Sequence, residues 1–289
     1  MDEKLRAKEG EESPEVREYF RQLKMQERLT EMMSSPVVVT SWLLGINIVF
    51  WVVAKLYGIW LVDEGVAIRG ANAEQLVFFS GMKVNAAIDG GQWWRLWSSQ
   101  YVHLNVMHLL FNGYGIYVLG QFLERAIGAR RLLVLYTISG TVGSLASYYL
   151  NTSPSGGASG ALYGLVGATI AFGWKYRSEL PEGMSRSLTR GLMPWVVFGI
   201  GIGFLESIPM DNAAHIGGLI SGGLVGLVMG SALEERSSKW RSGLLWVGLG
   251  LVVVVLGATA LSWGAEALRC LGGPEEFFGC YADMLLAPR

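Results

Sequence analysis

The sequence predicts an all-α polytopic membrane protein, and three observations carry that expectation. Of 289 residues, 51% are hydrophobic and only 16% charged, with a mean hydropathy of +0.36, a balance seldom met in soluble domains. The apolar residues gather into seven runs, near 37–57, 101–121, 131–150, 159–176, 191–208, 212–230 and 241–263, and about 20 mostly apolar residues suffice for an α-helix to cross roughly 30 Å of hydrocarbon. The 39 glycines lie mostly inside those runs, where they let helices approach closely, while the 11 tryptophans suit the headgroup interface. A net charge of −1 and a pI near 6.3 give no reason to expect a nucleic-acid partner.

Taken in order, residues 1–33 form a charged cytoplasmic segment without the basic region, apolar run and small-residue cleavage site of a signal peptide, so no secretory processing is expected. Within it, Val16, Tyr19, Phe20, Leu23 and Leu29 are spaced to line one face of a helix with Pro14 near its start. That helix either lies on the membrane surface or belongs to a solvated tail. After the first span, residues 58–100 are too many for a simple turn and mix apolar blocks with GANAE, DGGQ and the WWRLW cluster. Paired tryptophans favour a structured interfacial loop here.

The remaining connections set the orientation. Arg125, Arg130 and Arg131, then Lys175, Arg177, Arg186 and Arg190, then Arg236, Lys239 and Arg241 fall in alternate connections, which should therefore face the cytoplasm. The connections NTSPSGG and LESIPMDNA contain no Lys or Arg and should face outside. The expected organisation is a six-helix core over 34–235 with its large external loop at 58–100, a seventh helix within 236–265, and an external tail over 266–289. Seven crossings place Cys270 and Cys280 outside, where they can pair across a short loop; were 241–263 not a crossing, the tail would be cytoplasmic and free thiols favoured. Two cysteines without a nearby histidine supply too few ligands for zinc.

Drawn with this topology, four polar groups reach a common depth toward the outer face: His108 and Asn112 in the second span, Ser159 at the start of the fourth and His215 at the start of the sixth. They suggest acyl transfer, with His215 taking the proton of Ser159 as its hydroxyl attacks a carbonyl and returning it to the leaving amine. Gly156, Gly157 and Gly160 let the backbone turn tightly around Ser159 and leave its amide for a developing oxyanion. His108 and Asn112, four apart, share a helix face and can donate toward the same point. Tyr163 follows Ser159 by one helical turn and can pack on the His215 ring. Singly, each residue also fits ordinary helix packing; their convergence favours the chemistry. His103 either ties the long loop to the second span or is an ordinary interfacial histidine. For Glu124 and Arg125 a local ion pair or helix cap is sufficient. Gly218 to Gly226, with Gly140 and Gly143, favour packing within the bundle over dimerisation.

At these residues the chain resembles the rhomboid family of intramembrane serine proteases. The matching elements are WWRL at 93–96, HLNVMHLLFN at 103–112, ERAIG at 124–128, GGASGALYGL at 156–165 and AHIGGLISG at 214–222. The resemblance implies a Ser159–His215 dyad without a third acidic member, so that Asp211 is not promoted to a triad. It implies oxyanion donors in His108, Asn112 and the Ser159 amide, stacking of Tyr163 on the catalytic histidine, and a structural role for Trp94 and Arg95 in the first external loop. It also implies a six-helix core with the run at 241–263 as an added seventh helix, membrane-anchored protein substrates cut in or near a transmembrane segment, and no metal or organic cofactor. A bacterial cytoplasmic membrane is the preferred location. The fifth run, with Gly199, Gly201 and Gly203 beside Phe198 and Phe204, is a candidate for admitting substrate between helices. Two other readings compete. An inactive client-binding relative should lack Ser159 or His215, both of which are present, and a transporter should show two related halves, which the hydropathy pattern lacks.

Overall fold

The computed structural model of the protein describes residues 13–63, 81–205 and 210–233, with positions 246 and 250. The remainder of the seventh apolar run, both cysteines and the tail lie outside the described residues. Within them the fold is all-α. Two helical segments, Pro14–Leu56 and the 22-residue Val106–Ile127, are long and apolar enough to cross a membrane by length and composition.

Helix α1 spans Pro14–Ser34, started by Ser13, whose hydroxyl accepts from the Val16 amide, with proline in its first turn. Its expected apolar stripe is divided. Met25, Leu29 and Met32 pack on the core and Arg28 donates to the Leu233 carbonyl, whereas Val16, Tyr19, Phe20 and Leu23 are exposed.

Helix α2 runs Val39–Asp63, beyond the expected end of the first run. Its start is capped at long range, because the Glu124 carboxylate accepts from the amides of Val38, Val39 and Thr40 and from the Thr40 hydroxyl at 2.7–2.8 Å. Glu124 is thus a helix cap, but for a helix more than eighty residues away rather than for its own turn.

The long loop contains helices α3 (Asn85–Asp89) and α4 (Arg95–Ser98) and a 3₁₀ turn over Ser99–Tyr101. Arg95 is fully buried, donating to Gln92 Oε1 at 2.5 Å and the Met82 carbonyl at 2.9 Å, with its guanidinium 4.9 Å from the Trp94 ring centroid. Arg95, set over the Trp94 ring, thereby holds the loop back against Met82. Trp93 remains exposed.

The second run becomes helical only at α5 (Val106–Gly115), because Asn105 caps it by accepting from the His108 amide at 2.9 Å. A π-helical stretch over Ile116–Gly120 and helix α6 (Gln121–Ile127) continue the rod. Then follow α7 (Ala129–Leu150), α8 (Ser159–Lys175), a short α9 (Glu182–Thr189) in a connection that carried no expected helix, α10 (Met193–Ile202) and α11 (Asn212–Val228). Helix α10 is shorter than the run at 191–208 suggested, and it buries only Val196, with Trp195, Val197 and Phe198 exposed.

Glycine brings α7, α8 and α11 together. A Cβ placed on Gly218 would stand 1.9 Å from the Gly160 carbonyl oxygen, one on Gly222 would stand 2.1 Å from that of Gly164, and one on Gly226 would stand 2.9 Å from Ala168 Cα. Both partners advance by four residues at each step, so α8 and α11 run parallel along matching ridges. Gly143 opposite Ala214 and Gly164 opposite Ser139 seat α7 antiparallel against the pair. Ser159 and His215 consequently emerge at the same end of two helices in backbone contact.

Candidate active site

Ser159 is the first residue of α8, so the helix itself has no use for its amide. The strap that delivers it, residues 151–158, is fixed from several sides. Lys83 and Ser155 exchange backbone hydrogen bonds of 2.8 and 3.0 Å, the Gly157 amide donates to the Ser99 carbonyl at 2.8 Å, and the Ala158 amide donates to His103 Nε2 at 3.4 Å. Gly157 has φ +126°, a left-handed conformation that disfavours any side chain, and a Cβ there would also stand 2.5 Å from His108 Cε1.

His215 occupies the first turn of α11, beyond the N-cap Asp211, whose Oδ1 accepts from the Ala214 amide at 3.1 Å. The buried His215 ring places Nε2 3.0 Å from Ser159 Oγ. Tyr163 stacks on that ring with centroids 4.4 Å apart and planes inclined by 11°. For Nε2 to accept the serine proton, the imidazole carries its own on Nδ1. That atom is buried and has no hydrogen-bond partner among the described residues, so aromatic stacking rather than a carboxylate orients the ring.

The other expected residues converge on the same turn. His108 lies against Gly157, and Asn112 Nδ2, 3.6 Å from a Cβ placed there, is buried without a hydrogen-bond partner among the described residues. An unspent buried donor beside the turn that carries Ser159 suits a charge that arises only transiently. His103 is buried under the strap, with its ring 5.1 Å from that of His108 at 69°. Gly160 differs from expectation. A Cβ there meets nothing closer than 3.5 Å, so the space belongs to Gly218 across the interface.

Two charged groups that the sequence did not single out as site residues, Asp211 and Lys83, lie at the start of α11 and against the strap. Burial would raise the carboxyl pKa of Asp211, but hydrogen bonds from Ser147, Ser155, the Ala214 amide and Asn151 outweigh it and hold the group below its usual range. Burial lowers the Lys83 pKa, with Asp211 opposing that shift. A lone lysine in the apolar stretch GMKVNAAI was the one available sequence signal. Among the described residues no group of three His, Cys, Asp or Glu side chains could hold a metal ion.

Comparison with known proteins places the chain in one family. A Rhomboid domain model matches residues 90–232, which contain every site residue named above except Lys83. The chain is 36% identical over 198 residues to Rhomboid protease GluP of Bacillus subtilis, covering 68% of this chain and 38% of that protein. It is 32% identical over 205 residues to RHOMBOID-like protein 4 of Arabidopsis thaliana, covering 65% of this chain and 50% of that one. Rhomboid protease GlpG of Haemophilus influenzae matches at 32% identity over 150 residues, half of this chain and 73% of the bacterial protein. The chain thus spans half or less of the first two relatives and most of the third. With its helices and their membrane-length segments, the chain is a membrane-associated protein that belongs to the rhomboid family.

Proposed function

We propose that the protein is an intramembrane serine endopeptidase that cuts peptide bonds in or near transmembrane segments of membrane-anchored proteins. The observation that carries this reading is the 3.0 Å approach of His215 Nε2 to Ser159 Oγ, at one end of two helices held in register by glycine. His215 removes the hydroxyl proton as Oγ bonds to the scissile carbonyl carbon, and the tetrahedral oxyanion is met by the Ser159 amide, Asn112 and His108. Collapse breaks the C–N bond and His215 returns its proton to the amine. Water then attacks the acyl-enzyme with the same histidine as base, releasing the acid and restoring Ser159. The steps use the chain's own side chains and backbone with water, and need no metal or organic cofactor.

In this reading residues 34–235 form a six-helix core, with 236–265 as a seventh crossing, residues 1–33 inside and 266–289 outside a bacterial cytoplasmic membrane. The active site opens outward from the bilayer. Helical peptide bonds are already hydrogen-bonded, so a substrate segment unwinds before attack. Helix α10 is suited to admit it, since most of its apolar surface is exposed and a Cβ on Gly199 would stand only 2.0 Å from the Tyr163 hydroxyl. The test is cleavage of a single-span substrate by the purified protein in detergent and in liposomes, followed by gel and mass spectrometry. Cleavage by wild type that is lost in Ser159→Ala and in His215→Ala is expected. Cleavage surviving either substitution would contradict the dyad, and a folded wild type inert toward several substrates would favour client binding.

A further inference from the structure

Asp211 does not hydrogen-bond to the His215 ring, whose Nδ1 has no partner among the described residues, and its carboxylate is engaged elsewhere. Oδ1 accepts from the Ala214 amide, one residue before the base, at 3.1 Å. Oδ2 accepts from the Ser147 hydroxyl near the end of α7, and Ser155 and Asn151 of the strap that leads to Ser159 lie close enough to help hold the carboxyl pKa down. One carboxylate therefore ties the end of α7, which runs directly into the strap before Ser159, to the backbone carrying His215. On the far side of the strap, the Lys83 ammonium is buried and donates to the Asn151 and Ser153 carbonyls at 2.5 and 2.9 Å. Lys83 is itself anchored, since its neighbour Met82 receives the buried Arg95 guanidinium. The strap is gripped between a cation from the loop and an anion from α11.

We propose that Asp211 and Lys83 are positioning residues that set the separation of Ser159 and His215 by clamping the strap over 151–158 to the start of α11. This rests on the reading of Ser159 and His215 as a catalytic dyad. Neither residue touches the reacting atoms; both act through backbone. Since reacting groups must be held within a narrow range for the chemical step, releasing the clamp lowers kcat and leaves substrate docking on other surfaces intact.

The test compares Asp211→Ala, Asp211→Asn, Ser155→Ala and Lys83→Met with wild type in liposomes. It reads kcat and KM on a single-span substrate, and amide hydrogen exchange over 151–158. Asp211→Ala is expected to lower kcat by roughly tenfold or more with KM little changed, and to speed exchange in the strap. Asp211→Asn keeps an oxygen for the Ala214 amide and should recover part of that loss. Ser155→Ala leaves the helix cap intact, so it reports on the clamp even where Asp211→Ala folds poorly. It should lower kcat without lowering Tm. Lys83→Met should act in the same direction. Unchanged kcat and strap exchange in Ser155→Ala and Asp211→Asn would overturn the clamp while wild-type cleavage leaves the protease reading standing. An inert wild type would remove that reading, and unchanged exchange in the variants would still count separately against the clamp.

Discussion

At the scale of single residues, the site depends as much on what is missing as on what is present. Gly157 has φ +126° and leaves room for His108, while Gly160, three positions on in the same glycine-flanked sequence, would accept a methyl group without a close contact. The sequence presents the two as equivalent glycines around a serine, because neither a dihedral angle nor a neighbour from another helix is written locally. Gly157→Ala is expected to lower kcat by about 10²-fold, through displaced oxyanion donors, and to cost roughly 1–2 kcal/mol in backbone strain. Gly160→Ala should keep most activity and stability. Cleavage rates and thermal unfolding of the two variants check this, and equal loss in both would show that the turn is governed by something other than the left-handed residue. Ser159, His215, Tyr163 and Asn112 were legible as a group because their spacings and shared depth suggest one face. Lys83 and Ser147 were not, because their partners come from segments remote in the chain.

At the scale of elements, parallel packing of α8 and α11 is what turns two distant motifs into one site. Lipid offers little hydrophobic drive for helices to associate, so the pair relies on backbone approach at Gly218, Gly222 and Gly226. A side chain at Gly218 has nowhere to go, whereas one at Gly223 meets nothing closer than 3.6 Å. Gly218→Val is therefore expected to destabilise the fold by about 1–3 kcal/mol or more and to abolish cleavage by parting Ser159 from His215, while Gly223→Ala stays near wild type. Thermal unfolding with parallel activity assays distinguishes them, and a fully active Gly218→Val would refute the helix register described here. The glycine spacing announced close packing but not its partner, since small residues at four-residue intervals fit several helix pairs. The Glu124 cap on α2 shows the same limit. Its acidity was evident, but its target became visible only when α6 met the start of α2.

At the scale of the whole molecule, the composition indicated helices in a membrane, and the fold brings the two polar motifs to one end of a glycine-packed bundle. The long loop is the part least evident from sequence. It supplies Arg95, Met82 and Lys83 as a chain of contacts reaching the strap before Ser159, and such contacts leave no periodic signal to read. The proposed chemistry turns on one serine made nucleophilic by one histidine. We would reconstitute the protein in liposomes, treat it with a small fluorophosphonate, and locate the adduct by intact and peptide mass spectrometry in wild type and in His215→Ala. A single adduct on Ser159 in wild type, lost without His215, is expected. Labelling at another residue, or labelling of Ser159 that persists unchanged in His215→Ala, would contradict it.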